Sequence, residues 1–80
     1  MTVPKGLEHV LRIDPEIMHG ALCFSGTRIP VTVFLDNLTE GMGLAEFLTV
    51  YPTIKRVQAE AVLEWEHSAL RRAAHLQPTH

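Results

Sequence analysis

SGTRIPVTV, residues 25–33, is where the character of this chain changes. Ser25-Gly26 is a turn signal, and Pro30 confines Ile29 to extended backbone. Upstream of the stretch the apolar residues come in short runs between turn formers. Downstream they recur at helical spacing. The stretch therefore divides a β element from a helical one. Arg28 is the charged residue at its centre. A guanidinium beside a turn, with Asp14 and Glu16 upstream, is expected to clamp a carboxylate or backbone carbonyls. Arg28 and Asp14 are thus the candidate structural clamp, with phosphate or partner contact as the alternatives for Arg28.

Working back, Val10, Leu11 and Ile13 make residues 9–13 read as a short strand. Asp14 before Pro15 sets a tight turn that Gly20 closes. Leu22-Cys23-Phe24 is a second strand, and Thr27 to Val31 resumes extended backbone. Strands this short need helices to cover them. Working forward, Thr32 is the expected N-cap of a first helix, with Val31, Phe34, Leu35 and Leu38 at helical spacing and Gly41 as its stop. Gly43 opens a shorter helix carrying Leu44, Phe47 and Leu48, which Tyr51-Pro52 breaks. Thr53 is the expected N-cap of a third and longest helix. Ile54, Val57, Ala61 and Trp65 line one side of it, Val62, Leu63 and Ala69 widen that stripe, and it runs to about Ala74. The expected fold class is mostly α (α+β): short N-terminal β-strands or a hairpin, then a three-helix, helix-turn-helix-like domain. The expected organisation is one domain over 1–80. It comprises a loose leader, a β element over 7–31, a helical part of winged-helix or helix-turn-helix type over 32–74, and a frayed tail over 75–80.

Eighty residues with 46% hydrophobic and 20% charged side chains describe a globular domain rather than a disordered chain. A domain of this size buries only about 60% of its unfolded surface and gains from a partner, so a homodimer is expected. The net charge of −2 argues against a broad, non-specific grip on nucleic acid but leaves room for a local basic patch. A single cysteine, Cys23, set between Leu22 and Phe24, reads as a packed thiol in a reducing compartment. With no signal-like leader and no apolar run of spanning length, a cytoplasmic protein with no membrane partner is expected.

Two helices joined by a turn of three or four residues, the second opening on a cap and polar groups, have the outline of a helix-turn-helix. The pair here is 44–50 and Ile54 onward. In that motif the start of the second helix meets base edges, which selects Thr53, Lys55, Arg56, Gln58 and the neighbouring Ala59. Lys55 and Arg56 reach phosphate or guanine, and Gln58 has the donor–acceptor pair that matches adenine. Glu60, Glu64 and His67 have the spacing of half a di-iron site, but no facing carboxylates accompany them and exposed helix charge explains them as well. No metal, cofactor or catalytic residue is expected, and the chain is not read as an enzyme. Trp65, Arg71 and Arg72 are candidates for a dimer or partner interface.

DPEIMHG (14–20), CFSGTRIPV (23–31) and the run from Phe34 to Glu64 together resemble the bacterial family called domain of unknown function 433. The likeness covers about residues 10–63, and Gly-Thr-Arg-Ile-Pro-Val is its distinctive part. The resemblance implies a helix-turn-helix fold and an antitoxin-like role. Such a protein would be the dimeric partner of a PIN-like ribonuclease toxin and a binder of its own operator DNA. It implies no catalytic residue. The alternative is a homodimeric interaction module that keeps the shape without reading DNA. The chain departs from the family pattern at His19, at Ala21-Leu22, at Gly43 in place of a Ser or Asp cap, and at Lys55-Arg56 where Arg-Glu is frequent. The last change makes the start of the third helix more basic.

Overall fold

The computed structural model describes residues 2–76. Two antiparallel strands, β1 (Leu11–Asp14) and β2 (Ala21–Phe24), precede three helices, α1 (Val31–Thr39), α2 (Leu44–Val50) and α3 (Arg56–Leu76). The expected order of a hairpin followed by three helices is what is found. The ladder pairs Leu11 with Phe24 and Asp14 with Ala21. The expected third strand is reduced to a single bridge between Cys23 and Pro30. Pro30 has no N–H to extend a ladder, and the helix begins immediately after it.

The hairpin loop is unusual in its backbone. Met18, His19 and Gly20 take consecutive positive φ values of 48°, 60° and 108°. Only the glycine does so without strain, so Met18 and His19 each cost on the order of 1 kcal/mol or more. Asp14 anchors the other end of the loop, accepting the N–H of Glu16 on Oδ1 at 2.9 Å. The N–H groups of Gly20 and Ala21 both reach the carbonyl of Ile17.

α1 starts two residues earlier than the expected cap at Thr32 implies. Its N-cap is Pro30 at φ −62° and ψ 145°, with no side-chain cap, and Thr32 is exposed in the first turn. The other end matches the sequence reading. Gly41 is left-handed at φ 106°. The Gly41 and Met42 N–H groups bond the carbonyls of Leu38 and Asn37, the paired closure that a glycine in this position permits.

One file of aromatic rings holds these elements together. Phe24 of β2 meets Phe34 of α1 edge-on, with centroids 5.7 Å apart, and Phe34 meets Phe47 of α2 at 4.8 Å. Phe47 in turn packs on Tyr51 at 4.8 Å, in the connection to α3. The three phenylalanines are fully buried. Around them lie Leu7, Val10, Leu11, Val31, Ile54, Ala59 and Val62. The leader is therefore not loose from Pro4 onward. Leu7 and Val10 enter the core, and the Trp65 indole N–H donates to the carbonyl of Lys5 at 3.2 Å. Met1 lies outside the described residues.

The core-facing stripe of α3 also differs from expectation. Gln58, Ala59 and Val62 are buried, while Val57 is 66% exposed. The stripe is rotated by about one residue because the amide of Gln58 finds partners inside the fold. From Leu70 to His75 every residue is exposed, so the last turns of α3 project beyond the body. The helix runs past the expected end at Ala74, and 77–80 of the expected frayed tail lie outside the described residues.

Phe34 sits at the middle of the aromatic file, so Phe34→Ala should remove about 3–5 kcal/mol, comparable to the whole stability of a domain this small. Urea denaturation should show loss of the cooperative transition. A mutant unfolding cooperatively near the wild-type midpoint would show that the file is not the centre of the fold.

Candidate nucleic-acid interface

The start of α3 is built differently from its sequence reading. The connection from α2 spans 51–55, five residues, because Tyr51-Pro52 ends α2 and the new helix begins only at Arg56. Thr53 is not its N-cap. Lys55 holds that position instead, its carbonyl taking the first N–H groups of the helix, from Gln58 at 3.0 Å and Ala59 at 3.2 Å. The side chain of Gln58 reaches back to accept the Lys55 N–H on Oε1 at 2.9 Å, half of a capping box. Ile54 before the cap and Ala59 in the first turn are both buried, which fixes the angle at which the chain enters the helix.

Gln58 does more than cap. Its Nε2 donates to the carbonyl of Ser25 at 2.9 Å, and the residue is 8% exposed. Both ends of the amide are thus committed inside the molecule, one to α3 and one to the turn of 25–28. Gln58, expected to read adenine, is withdrawn from the surface by these bonds. Ala59 is fully buried as well. Thr53, Lys55 and Arg56 are exposed. Arg56 lies 3.4 Å from Glu60 one helical turn on, with both side chains about half exposed. Such a pair contributes only about 0.3–0.5 kcal/mol.

The clamp at the junction is real, but Arg12 supplies it rather than Arg28. Arg12 and Asp14 are two apart on β1 and so share a face of the strand. The Arg12 Nη2 lies 3.2 Å from Asp14 Oδ2 and donates to the carbonyl of Thr27 at 2.8 Å. Placing Asp14 in a turn outside the strand hid this pairing; an Arg-x-Asp spacing within one strand is the signal that reveals it. Arg28 is exposed and makes no side-chain hydrogen bond or ion pair among the described residues. Its charge is nevertheless felt at Asp14. The Glu16 N–H holds the Asp14 carboxyl below the ordinary aspartate range, against the opposing effect of desolvation, and Arg12 and Arg28 add to the lowering.

The turn between Phe24 and Ile29 is held from several sides. Thr27 is buried, its N–H and hydroxyl both donate to the carbonyl of Phe24, and its Oγ1 accepts the N–H of Ile29. Ser25 N–H bonds Val10, and Phe24 N–H bonds Ile29. Cys23, beside this turn, is fully buried, and desolvation pushes its thiol up, which disfavours the reactive thiolate.

The remaining candidates lie at the far end of α3. Trp65 is half-buried and hydrogen-bonded to the leader, and Arg71 and Arg72 are exposed on the projecting turns. Glu60, Glu64 and His67 line a shallow depression against Leu44 and Leu63. Among the described residues no group of three or more His, Cys, Asp or Glu is arranged to hold a metal ion. No described helix is long and apolar enough to cross a membrane.

A two-stranded hairpin followed by three helices, with an exposed Lys-Arg pair opening the longest, defines a small α+β domain. The chain belongs to the family described as protein of unknown function DUF433, whose model matches residues 11–65. No curated protein and no solved structure matches it.

Two outcomes test the construction of the site. Gln58→Ala leaves the Ser25 carbonyl and the Lys55 N–H without their partner, at a cost of about 1–3 kcal/mol by urea denaturation. Gln58→Glu keeps an acceptor for Lys55 but has no donor for Ser25, so it should also destabilise; wild-type stability in both would remove the tether. Asp14 is the acid-sensitive element. Folding lowers its pKa, so its contribution is present at neutral pH and is lost as pH falls through the lowered, folded-state value. Denaturation midpoints should therefore fall more steeply on acidification for wild type than for Asp14→Asn; superimposable pH profiles would exclude it.

Proposed function

We propose that the chain is the antitoxin of a type II toxin–antitoxin pair, a homodimer that binds its own operator DNA and a PIN-like ribonuclease. The observation that carries the DNA half is the placement of Thr53, Lys55 and Arg56, all exposed where α3 begins after α2 and the 51–55 connection. The start of a second helix presented after such a connection is where helix-turn-helix proteins meet DNA. The first turn of α3 contains no acidic residue, so no carboxylate there opposes a phosphate. The exposed Arg56–Glu60 pair is weak enough for a phosphate to replace. Lys55 and Arg56 then supply charge and Thr53 a hydroxyl, without Gln58.

The partner half rests on the far end of the same helix. Leu70 is 72% exposed on turns that project past the body, flanked by the exposed Arg71 and Arg72. An apolar side chain followed by two cations on a projecting helix suits a groove with an acidic rim on a second protein. Trp65, earlier on the same helix, is tied to the leader.

The second reading, an interaction module that does not read DNA, is favoured by the burial of Gln58. That residue offered the adenine-matching amide of the set. Salt dependence separates the two. Binding to a duplex from upstream of the protein's own reading frame should weaken with salt. Changing Lys55 and Arg56 together to alanine should flatten the slope of log K against log salt by roughly two. A wild-type protein with no salt-dependent affinity for that duplex excludes the DNA role. Failure of the neighbouring gene product to co-purify, or its lack of ribonuclease activity, excludes the antitoxin role.

A further inference from the structure

We infer that Arg28 is a second phosphate contact, displayed by the 25–28 turn beside the start of α3, so that the nucleic-acid surface spans the β–α junction as well as the helix. The inference rests on the DNA-binding reading above and adds a residue that the sequence assigned to the clamp.

Three observations converge on it. The clamp is already made by Arg12, which takes both the Asp14 carboxylate and the Thr27 carbonyl, and Arg28 is left exposed with no such bond among the described residues. The backbone that carries Arg28 is nonetheless among the most firmly held in the protein. Thr27 alone makes three local hydrogen bonds, and the turn is tied to β1 through Arg12 and through the Val10 carbonyl. A rigid turn removes the backbone share of the ordering cost when its guanidinium binds, so only the rotamer freedom of the side chain is lost. Finally, the turn is fastened to α3 by one side chain. Gln58 bonds the carbonyl of Ser25 with one end of its amide and the N–H of Lys55 with the other, so a single amide group separates the two backbones.

Lys55, Arg56, Arg28 and Arg12 are four of the seven Lys and Arg residues in the chain, and the Gln58 and Arg12 hydrogen bonds tie the backbone segments that carry them to the 25–28 turn. Arg12 stays half exposed while it clamps. Of the carboxylates near the junction, Asp14 is nearly buried and paired with Arg12, and Glu60 is held in a weak exposed pair with Arg56. A regularly spaced line of phosphates, as on a duplex strand, fits cations distributed over a turn and an adjacent helix start, since phosphate contacts fix orientation without reading sequence.

The test uses the full chain, a labelled duplex from upstream of its reading frame and a scrambled duplex of equal length. Arg28→Ala should flatten the salt slope by about one on both duplexes, because a phosphate contact is indifferent to sequence. Its thermal midpoint should stay close to the wild-type value, since no hydrogen bond is lost and only the minor Arg28 contribution at Asp14 goes with it. Arg28→Lys should keep the slope, as a phosphate accepts a point charge where a bidentate clamp would not. Lys5→Ala, an exposed cation beside Trp65 and away from the turn, should leave the slope unchanged. The inference fails if Arg28→Ala binds with the wild-type slope while the Lys55 and Arg56 double variant loses its two units. It fails equally if the loss of binding tracks a lowered thermal midpoint that Arg28→Lys does not rescue. Absence of wild-type binding to either duplex removes the DNA reading itself together with this one.

Discussion

The stack of Phe24, Phe34, Phe47 and Tyr51 is the constraint on which the rest of this small protein depends. Each ring comes from a different element, and together they join β2, α1, α2 and the connection into α3. A two-stranded sheet has almost no independent stability, and α2 is only seven residues long. Neither would persist without a shared interior. The file provides one at small cost in chain length, since buried aromatic rings remove more apolar surface from water per residue than aliphatic side chains. The strained loop at Met18 and His19 is tolerable for the same reason: the paired strand ends that flank it are held by the core.

What the file does for the body of the protein, Gln58 does for the junction of the 25–28 turn with α3. A glutamine that caps its own helix and also bonds a distant turn couples two surfaces that sequence separates by more than thirty residues. The coupling is polar and buried, and therefore sensitive to partial loss: if one of its two partners is removed, the remaining group is left without a bond in a poorly solvated place. It also fixes the backbone of the 25–28 turn relative to the start of α3.

The opposite end of the molecule has a different character. The exposed turns of α3 beyond Ser68 carry alanines, Leu70 and two arginines with no interior to face. A helix of 21 residues spans about 31 Å, well beyond the bundle formed by α1 and α2. The start of α3 is thus tied to the 25–28 turn, while its last turns form an uncovered helical extension.

The sequence by itself determined the order of elements and several of their boundaries. Gly41 had to end α1, because only glycine takes its left-handed backbone without cost. Tyr51-Pro52 had to interrupt α2, and apolar spacing placed Phe34, Phe47 and Val62 inside. These are local properties, fixed by backbone sterics and by which face of a helix is greasy. The roles of the polar residues were decided only by tertiary structure. Arg12 and not Arg28 became the clamp because β1 extends to Asp14 and puts both side chains on one face. Gln58 left the surface because a carbonyl from residue 25 waits inside, and that bond rotated the buried stripe of α3 away from Val57. A polar side chain is satisfied by whichever partner the folded chain brings within reach, and the sequence near it holds no record of that partner. The stretch SGTRIPVTV was legible as a boundary for the first reason, and the freedom of its arginine was not, for the second.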